Sequence, residues 1–190
     1  MRIGFIGLGA MGSGMAANLL KAGHAPRASQ MWCRPASPCS MCSVKRCFEL
    51  AREPPKANLV KLSGNFLIAS VIEALSEAFA LIGKAGIDRE QYLDLLTSTL
   101  FGAPVYKTYG GLIAEERYHP AGFKAELGYK DIRLALAAGD GLKVPMPLAS
   151  LIATRFLALI AQGGGNLDWS ALAKLAARDA GDESPLAPSR

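Results

Sequence analysis

The chain has 190 residues, about half of them hydrophobic, with 21 Lys and Arg against 16 Asp and Glu for a formal net charge of +5. That length suits one domain or two small ones sharing a core. The basic residues are scattered and aromatics are few, which excludes a clustered nucleic-acid-binding face; a mild positive balance suits an anionic cofactor and a small acidic substrate.

The chain opens MRIGFIGLGAMGSGMAANLLKAGH. A short apolar run, Ile3 to Ile6, leads into Gly7, Gly9 and Gly12 and then into a helix-like segment, Met15–Leu20. This is G-x-G-x-x-G after a strand and opening a helix, the context that marks a dinucleotide site. Gly7 allows the tight turn, Gly9 lets backbone approach a pyrophosphate, and Gly12 lets helix pack on strand. Gly7, Leu8, Gly9, Ala10, Met11 and Gly12 are therefore candidate cofactor-binding residues, with the helix N-terminus offering N–H groups to the anion. The uncharged stretch after Arg2 also suits a targeting segment, but five glycines between residues 3 and 20 make a poor isolated helix. Past residue 24 the apolar stretches are cut by Glu73, Glu77, Arg117 and Arg155, so no membrane span is expected.

Residues 25–56 differ from everything around them. All four cysteines (Cys33, Cys39, Cys42, Cys47) and five of the eleven prolines fall in this stretch. Proline at that density opposes helix interiors and central strands, leaving only Ser29–Cys33 as a possible short strand. A nucleotide domain of two halves needs several βαβ units of about 30 residues each. The space before residue 57 holds one at most. The irregular cysteine spacing, with a single C-x-x-C and no second one, argues against a zinc site, so no metal is expected; reduced bystander thiols in an intracellular, cytoplasmic setting fit better.

From residue 57 the pattern is helical. Residues 57–85 form one long helix, apolar on most of its girth, with Asn58, Lys61, Asn65, Glu73 and Glu77 in a narrow polar stripe. Gly86 reads as its C-cap, and Asp88 with Gln91 as the capping box of a helix over 88–99. Residues 101–121 read as looser, with Gly102, Pro104 and Gly110-Gly111. Helices follow over about 123–139, ending at Gly139 or Gly141, over 148–162, stopped by Gly163–Gly165, and over 169–180, capped by Asp168. No strand is needed after residue 56, and the polar tail is expected to be disordered. The predicted organisation is α/β plus all-α. An incomplete, truncated Rossmann-type segment spans 1–56, a helical domain led by one long helix spans 57–181, and a tail spans 182–190.

Lys61 and Asn65 lie four apart, on one helix face about one turn from each other. Apolar neighbours Leu59, Val60 and Leu62 would partly strip water from the ammonium and make it a useful acid or base. Asn65 can hold a hydroxyl or carboxylate near that nitrogen, and Gly64 leaves room between them. Spacing alone equally allows that both simply mark the wet stripe of the helix.

Three segments, in order, resemble the β-hydroxyacid dehydrogenase family, which includes 3-hydroxyisobutyrate dehydrogenases and related semialdehyde reductases. They are the opening GFIGLGAMGSGMAANLLKAGH, the K-x-x-x-N pattern Lys61-Leu-Ser-Gly-Asn65, and Phe123-Lys-Ala-Glu-Leu-Gly-Tyr-Lys130-Asp131. The resemblance covers about residues 1–24 and 56–181. It implies an NAD(P)-dependent oxidoreductase that interconverts a small 3-hydroxy acid and its semialdehyde or keto form. Lys61 would be the proton donor and acceptor, Asn65 would bind substrate, and Phe123 and Lys130 would line the cofactor. It also implies a homodimer, which the girth of the long helix suggests independently.

The departures from the family pattern are equally specific. The D-A-P-V-S-G-G type substrate loop has no counterpart, and no Asp or Glu precedes Glu49 to meet a ribose 2′-hydroxyl. Trp32-Cys33-Arg34 is similar to a displaced W-N-R turn, whose arginine would favour NADP slightly over NAD. With the loop missing, activity of this chain is expected to be weak or absent. The alternative is a non-catalytic helical dimerisation module with a vestigial nucleotide loop.

Overall fold

A computed structural model describes residues 54–182. The chain divides into two units after Pro54, and the described residues make up most of the second. The glycine turn Gly7–Gly12, the cysteines, Arg34 and the terminal tail from 183 lie outside the described residues, and with them the truncated nucleotide-binding segment of the expected fold.

The described residues are helical, as expected. Helix α1 spans Pro54–Lys84, α2 Arg89–Ser98, α3 Pro104–Ala114, α4 Ala125–Leu142, α5 Pro147–Ala161 and α6 Leu172–Asp179. Two short 3₁₀ turns, Gly164–Asn166 and Trp169–Ala171, stand between α5 and α6. The one departure from helix and loop among the described residues is an isolated antiparallel bridge between Lys124 and Asp168.

Helix α1 leads the domain, and its first turn tolerates proline because no N–H is needed there. It stops where Gly86 adopts φ +74°, with the Ile87 N–H reaching back to Ile82 O at 3.1 Å. That left-handed turn is the glycine cap read from the sequence. Asp88 then caps α2, its Oδ1 accepting from Gln91 N at 2.8 Å.

Leu62, Ala69, Ile72, Leu75 and Phe79 of α1 enter a core completed by Ile113, Ile132, Ile152, Phe156, Leu159, Trp169 and Leu172. Helix α4 lies along α5. A Cβ on Gly128 would sit 2.9 Å from Phe156 Cζ and 3.1 Å from Trp169 Cε3, so glycine is required for that approach.

Four expectations need correction. The stretch 101–121 is not loose throughout: Pro104 opens α3, where a proline in the first turn starts a helix instead of breaking it, and only the residues on either side of Pro104–Ala114 are irregular. Helix α4 starts at Ala125 and runs past Gly139 and Gly141 to Leu142, ending on Lys143 with φ +59°. A Cβ on Gly139 would lie 3.0 Å from both Val144 O and Met146 Sδ, so this glycine serves contact and not termination. Glu73 does not lie on a wet stripe; it is buried and paired with Arg155, Oε1 to Nε 2.7 Å.

The fourth concerns membranes. Asn58–Lys84 is, by length and composition, long and apolar enough to cross a bilayer, and Glu73 and Glu77 do not prevent that. In the structure this helix carries core residues of the helical domain. Its opposite face holds Val60, Leu67, Ala74 and Leu81, all exposed and seven residues apart.

Candidate active site

Lys61 and Asn65 sit one turn apart near the start of α1, and α4 brings a third group to them. Lys61 Nζ forms an ion pair with Asp131 Oδ2. Asn65 Nδ2 donates to the same oxygen at 2.6 Å. Asp131 is only 7% exposed, whereas the Lys61 side chain is 54% exposed. A buried carboxylate oxygen thus collects two donors from one face of α1, and hydrogen bonds to an ionised acceptor are short and strong. The arrangement holds the ammonium in a fixed direction while much of its stem faces solvent.

This differs from the sequence expectation in its cause. Leu62 is buried in the core and Val60 is exposed, because successive helix residues project about 100° apart. They do not wall in the ammonium; Asp131 orients it. Asn65 likewise commits one N–H to Asp131 and keeps its second N–H and carbonyl for another group. The Cβ position of Gly64 faces open space, in keeping with room between the two side chains.

Asp131 is the residue that sequence reading did not assign to the site. It closes the Phe123–Asp131 segment that carries the resemblance, which gave it no role of its own. In the structure Lys61 takes that carboxylate, and Lys130 is exposed on α4. Phe123 is half-buried just ahead of α4, its ring edge-on to Trp169 with centroids 4.7 Å apart. Phe123 gives an aromatic wall two residues before α4, and Lys130 stands in the second turn of that helix.

A second charged cluster lies farther along α1. Glu73 on α1 and Asp179 at the end of α6 both accept from Arg155 of α5, the latter at Nη1 2.5 Å. Burial pushes the Glu73 carboxyl above its ordinary range, against the pull of Arg155. Arg155 is held charged because two carboxylates outweigh its own burial. Glu73 Oε2 is buried without a hydrogen-bond partner. Asp179 is mostly exposed, so the arginine has a second, solvated counter-ion and Glu73 carries the cost of the buried pair. Twelve residues separate it from Lys61, about 18 Å along a helix, so it is no part of the site.

Residues 56–176 match the family model described as NAD-binding of NADP-dependent 3-hydroxyisobutyrate dehydrogenase. Residues 2–32 match the NAD binding domain of 6-phosphogluconate dehydrogenase. The chain is 46% identical over 127 residues to the uncharacterized oxidoreductase YfjR of Bacillus subtilis, covering 67% of this chain and 44% of that protein. It is 35% identical over 128 residues to glyoxylate/succinic semialdehyde reductase 1 of Arabidopsis thaliana, with the same coverages. Among solved structures, 3-hydroxyisobutyrate dehydrogenase from Salmonella typhimurium aligns with a TM-score of 0.57 at 27% identity, over 61% of this chain and 40% of that one. The chain therefore spans less than half the length of these relatives.

Proposed function

We propose, from the premise that the chain belongs to the β-hydroxyacid dehydrogenase family, that it interconverts a small 3-hydroxy acid and its semialdehyde or keto form. The relatives named above are oxidoreductases, which supports an NAD(P)-dependent dehydrogenase type. The observation that carries the reading is the convergence of Lys61 and Asn65 on buried Asp131, within the stretch that the family model matches.

Lys61 acts as proton donor when a carbonyl is reduced and as acceptor when a hydroxyl is oxidised. Its partner Asp131 keeps the ammonium aimed and balances its positive charge while the lysine holds the proton. Asn65, anchored through one N–H, offers its remaining polar atoms to the substrate close to the reacting oxygen. Phe123 and Lys130 are the described residues that would hold the cofactor, the one against the nicotinamide ring and the other toward an anionic group. A bound nicotinamide supplies or accepts the hydride. The glycine turn Gly7–Gly12 and Arg34 would hold the phosphates, with NADP preferred through Arg34.

The exposed row Val60, Leu67, Ala74 and Leu81 favours a homodimer in which this face of α1 is covered by a second copy. A purely structural helical module needs only that row. It does not call for Lys61 and Asn65 to share a buried carboxylate.

The deciding experiment is a titration of NADPH and NADH followed by nicotinamide fluorescence, then turnover of 3-hydroxyisobutyrate and succinic semialdehyde. Saturable binding with turnover that depends on Lys61 supports the enzyme. Absence of cofactor binding leaves the structural module.

A further inference from the structure

The sequence marks Asp168 as the cap of a helix over 169–180; in the structure that helix begins only at Leu172, and one oxygen of Asp168 caps the 3₁₀ turn Trp169–Ala171 that precedes it. Oδ1 accepts from Ser170 N at 3.0 Å and from Ser170 Oγ at 2.7 Å. The other oxygen serves a different part of the chain. Oδ2 accepts from the backbone N–H groups of Gly122 and Phe123, both at 3.0 Å, and the residue is only 3% exposed.

Main-chain bonds join the same two segments. Trp169 N donates to Phe123 O at 2.8 Å, Ala125 N to Leu167 O at 2.9 Å, and Asp168 N to Tyr118 O at 2.9 Å. The Phe123 ring meets Trp169 edge-on, and Trp169 meets Tyr109 in the same way at 5.7 Å. Helix α4 has no capping side chain of its own, since Lys124 stands at its N-cap and makes no cap bond. Its entry is held from a segment more than 40 residues downstream. That helix carries Lys130 and Asp131.

We propose that Asp168 is a positioning residue: its carboxylate fixes the Gly122–Phe123 turn, and so sets the Phe123 wall and the entry of α4. The kinetic consequence rests on the functional reading above; the geometry does not. A carboxylate is the group this place calls for, because four donors must be met inside the protein by two oxygens.

Two substitutions separate the clamp from the cap. In Asp168→Ser the hydroxyl still caps Ser170, serine being a favoured N-cap, but it is too short to reach Gly122 and Phe123. In Asp168→Asn the amide oxygen keeps that reach, while its NH₂ donates to Ser170 Oγ and the cap on Ser170 N is lost. Amide exchange by NMR on the full chain, together with KM and kcat for NADPH with succinic semialdehyde, reads both variants.

Asp168→Ser is expected to speed exchange at Gly122 and Phe123 by about 10- to 100-fold, the usual effect of losing hydrogen bonds to a charged acceptor. Exchange at Ile152 and Phe156 within α5 should stay parental, which shows the variant is folded. KM for NADPH should rise by about tenfold with kcat little changed, and Asp168→Asn should stay near the parent on both readouts. Parental exchange at Gly122 and Phe123 in Asp168→Ser overturns the proposal. So does lost protection with unchanged KM, or an equal rise of KM in both variants. If the unsubstituted chain binds no NADPH, the functional reading fails, and the exchange rates alone decide whether Asp168 holds the turn.

Discussion

Lys61 and Asp131, 70 residues apart in sequence, meet as an ion pair between α1 and α4, with the carboxylate buried and the lysine largely exposed. The pairing makes each helix answerable for one half of the candidate chemistry. On the proposed reading, Lys61 would supply a proton and Asp131 would decide where that proton points.

Lys61→Ala should lower kcat by about 10²–10⁴-fold, the usual contribution of a general acid–base group, and leave NADPH affinity nearly unchanged. Lys61→Arg should not rescue it, because a guanidinium stays protonated and is bulkier at the reacting oxygen. Steady-state kinetics beside a fluorescence titration check both halves. Turnover that survives Lys61→Ala removes the mechanism.

Asp131→Asn keeps the shape of the side chain and removes its charge, so the lysine loses its counter-ion. We expect kcat/KM to fall by about tenfold or more, as a misaimed group costs rate even without leaving the site. Far-UV circular dichroism should match the parent. Unchanged kinetics in a folded variant would show that Asp131 is an ornament of the site.

Glu73 gives a pH dependence with a definite sign. Its carboxyl titrates near 4.5 when unfolded and higher when folded, because burial disfavours the charge. The folded chain therefore holds the proton to higher pH than the unfolded chain. Stability is lost as pH climbs from about 4.5 through the folded value, and above that value the cost is constant. Glu73→Gln should melt higher than the parent at neutral pH, with the difference vanishing below pH 4.5. Arg155→Ala goes the other way, leaving a buried carboxylate alone at a cost of about 3 kcal/mol or more. Thermal melts across this range test both.

Gly128→Ala inserts a methyl 2.9 Å from Phe156 Cζ. Overpacking of this kind costs about 1–3 kcal/mol, read as a lower urea midpoint with an unchanged slope.

Leu67→Glu places a charge at the middle of the exposed row on α1. Sedimentation at micromolar concentration should show a dimer for the parent and a monomer for the variant. A monomeric parent defeats the proposed pairing.

The helices were legible wherever apolar period and caps agreed, as with Asp88 and Gln91 or with Gly86 at φ +74°. Helix α3 was hidden because its glycines and Pro104 read as loop signals, although proline opens a helix as readily as it breaks one. Gly110 there makes room for Leu93, a contact that no local pattern announces. For the site, the Lys61–Asn65 spacing was visible, but their shared partner was not. Asp131 reaches them only through the packing of α4, and a sequence carries no mark for a pairing between such distant residues. The same holds for the long reach of Asp168 to Phe123, which its role as a helix cap concealed.

Helix α1 carries Lys61 and Asn65 near its start and Ile72, Leu75 and Phe79 in the core farther on, in one unbroken run of 31 residues. The two jobs are therefore locked in phase. A single residue inserted between Asn65 and Ile72 would keep Ile72, Leu75 and Phe79 in register and swing Lys61, and Leu62 with it, by about 100° around the axis, away from Asp131. Inserting seven would restore the direction but shift the lysine by about 10 Å along it. Descendants of this chain can exchange many side chains on α1, yet the count of residues between its lysine and its core is not free to drift.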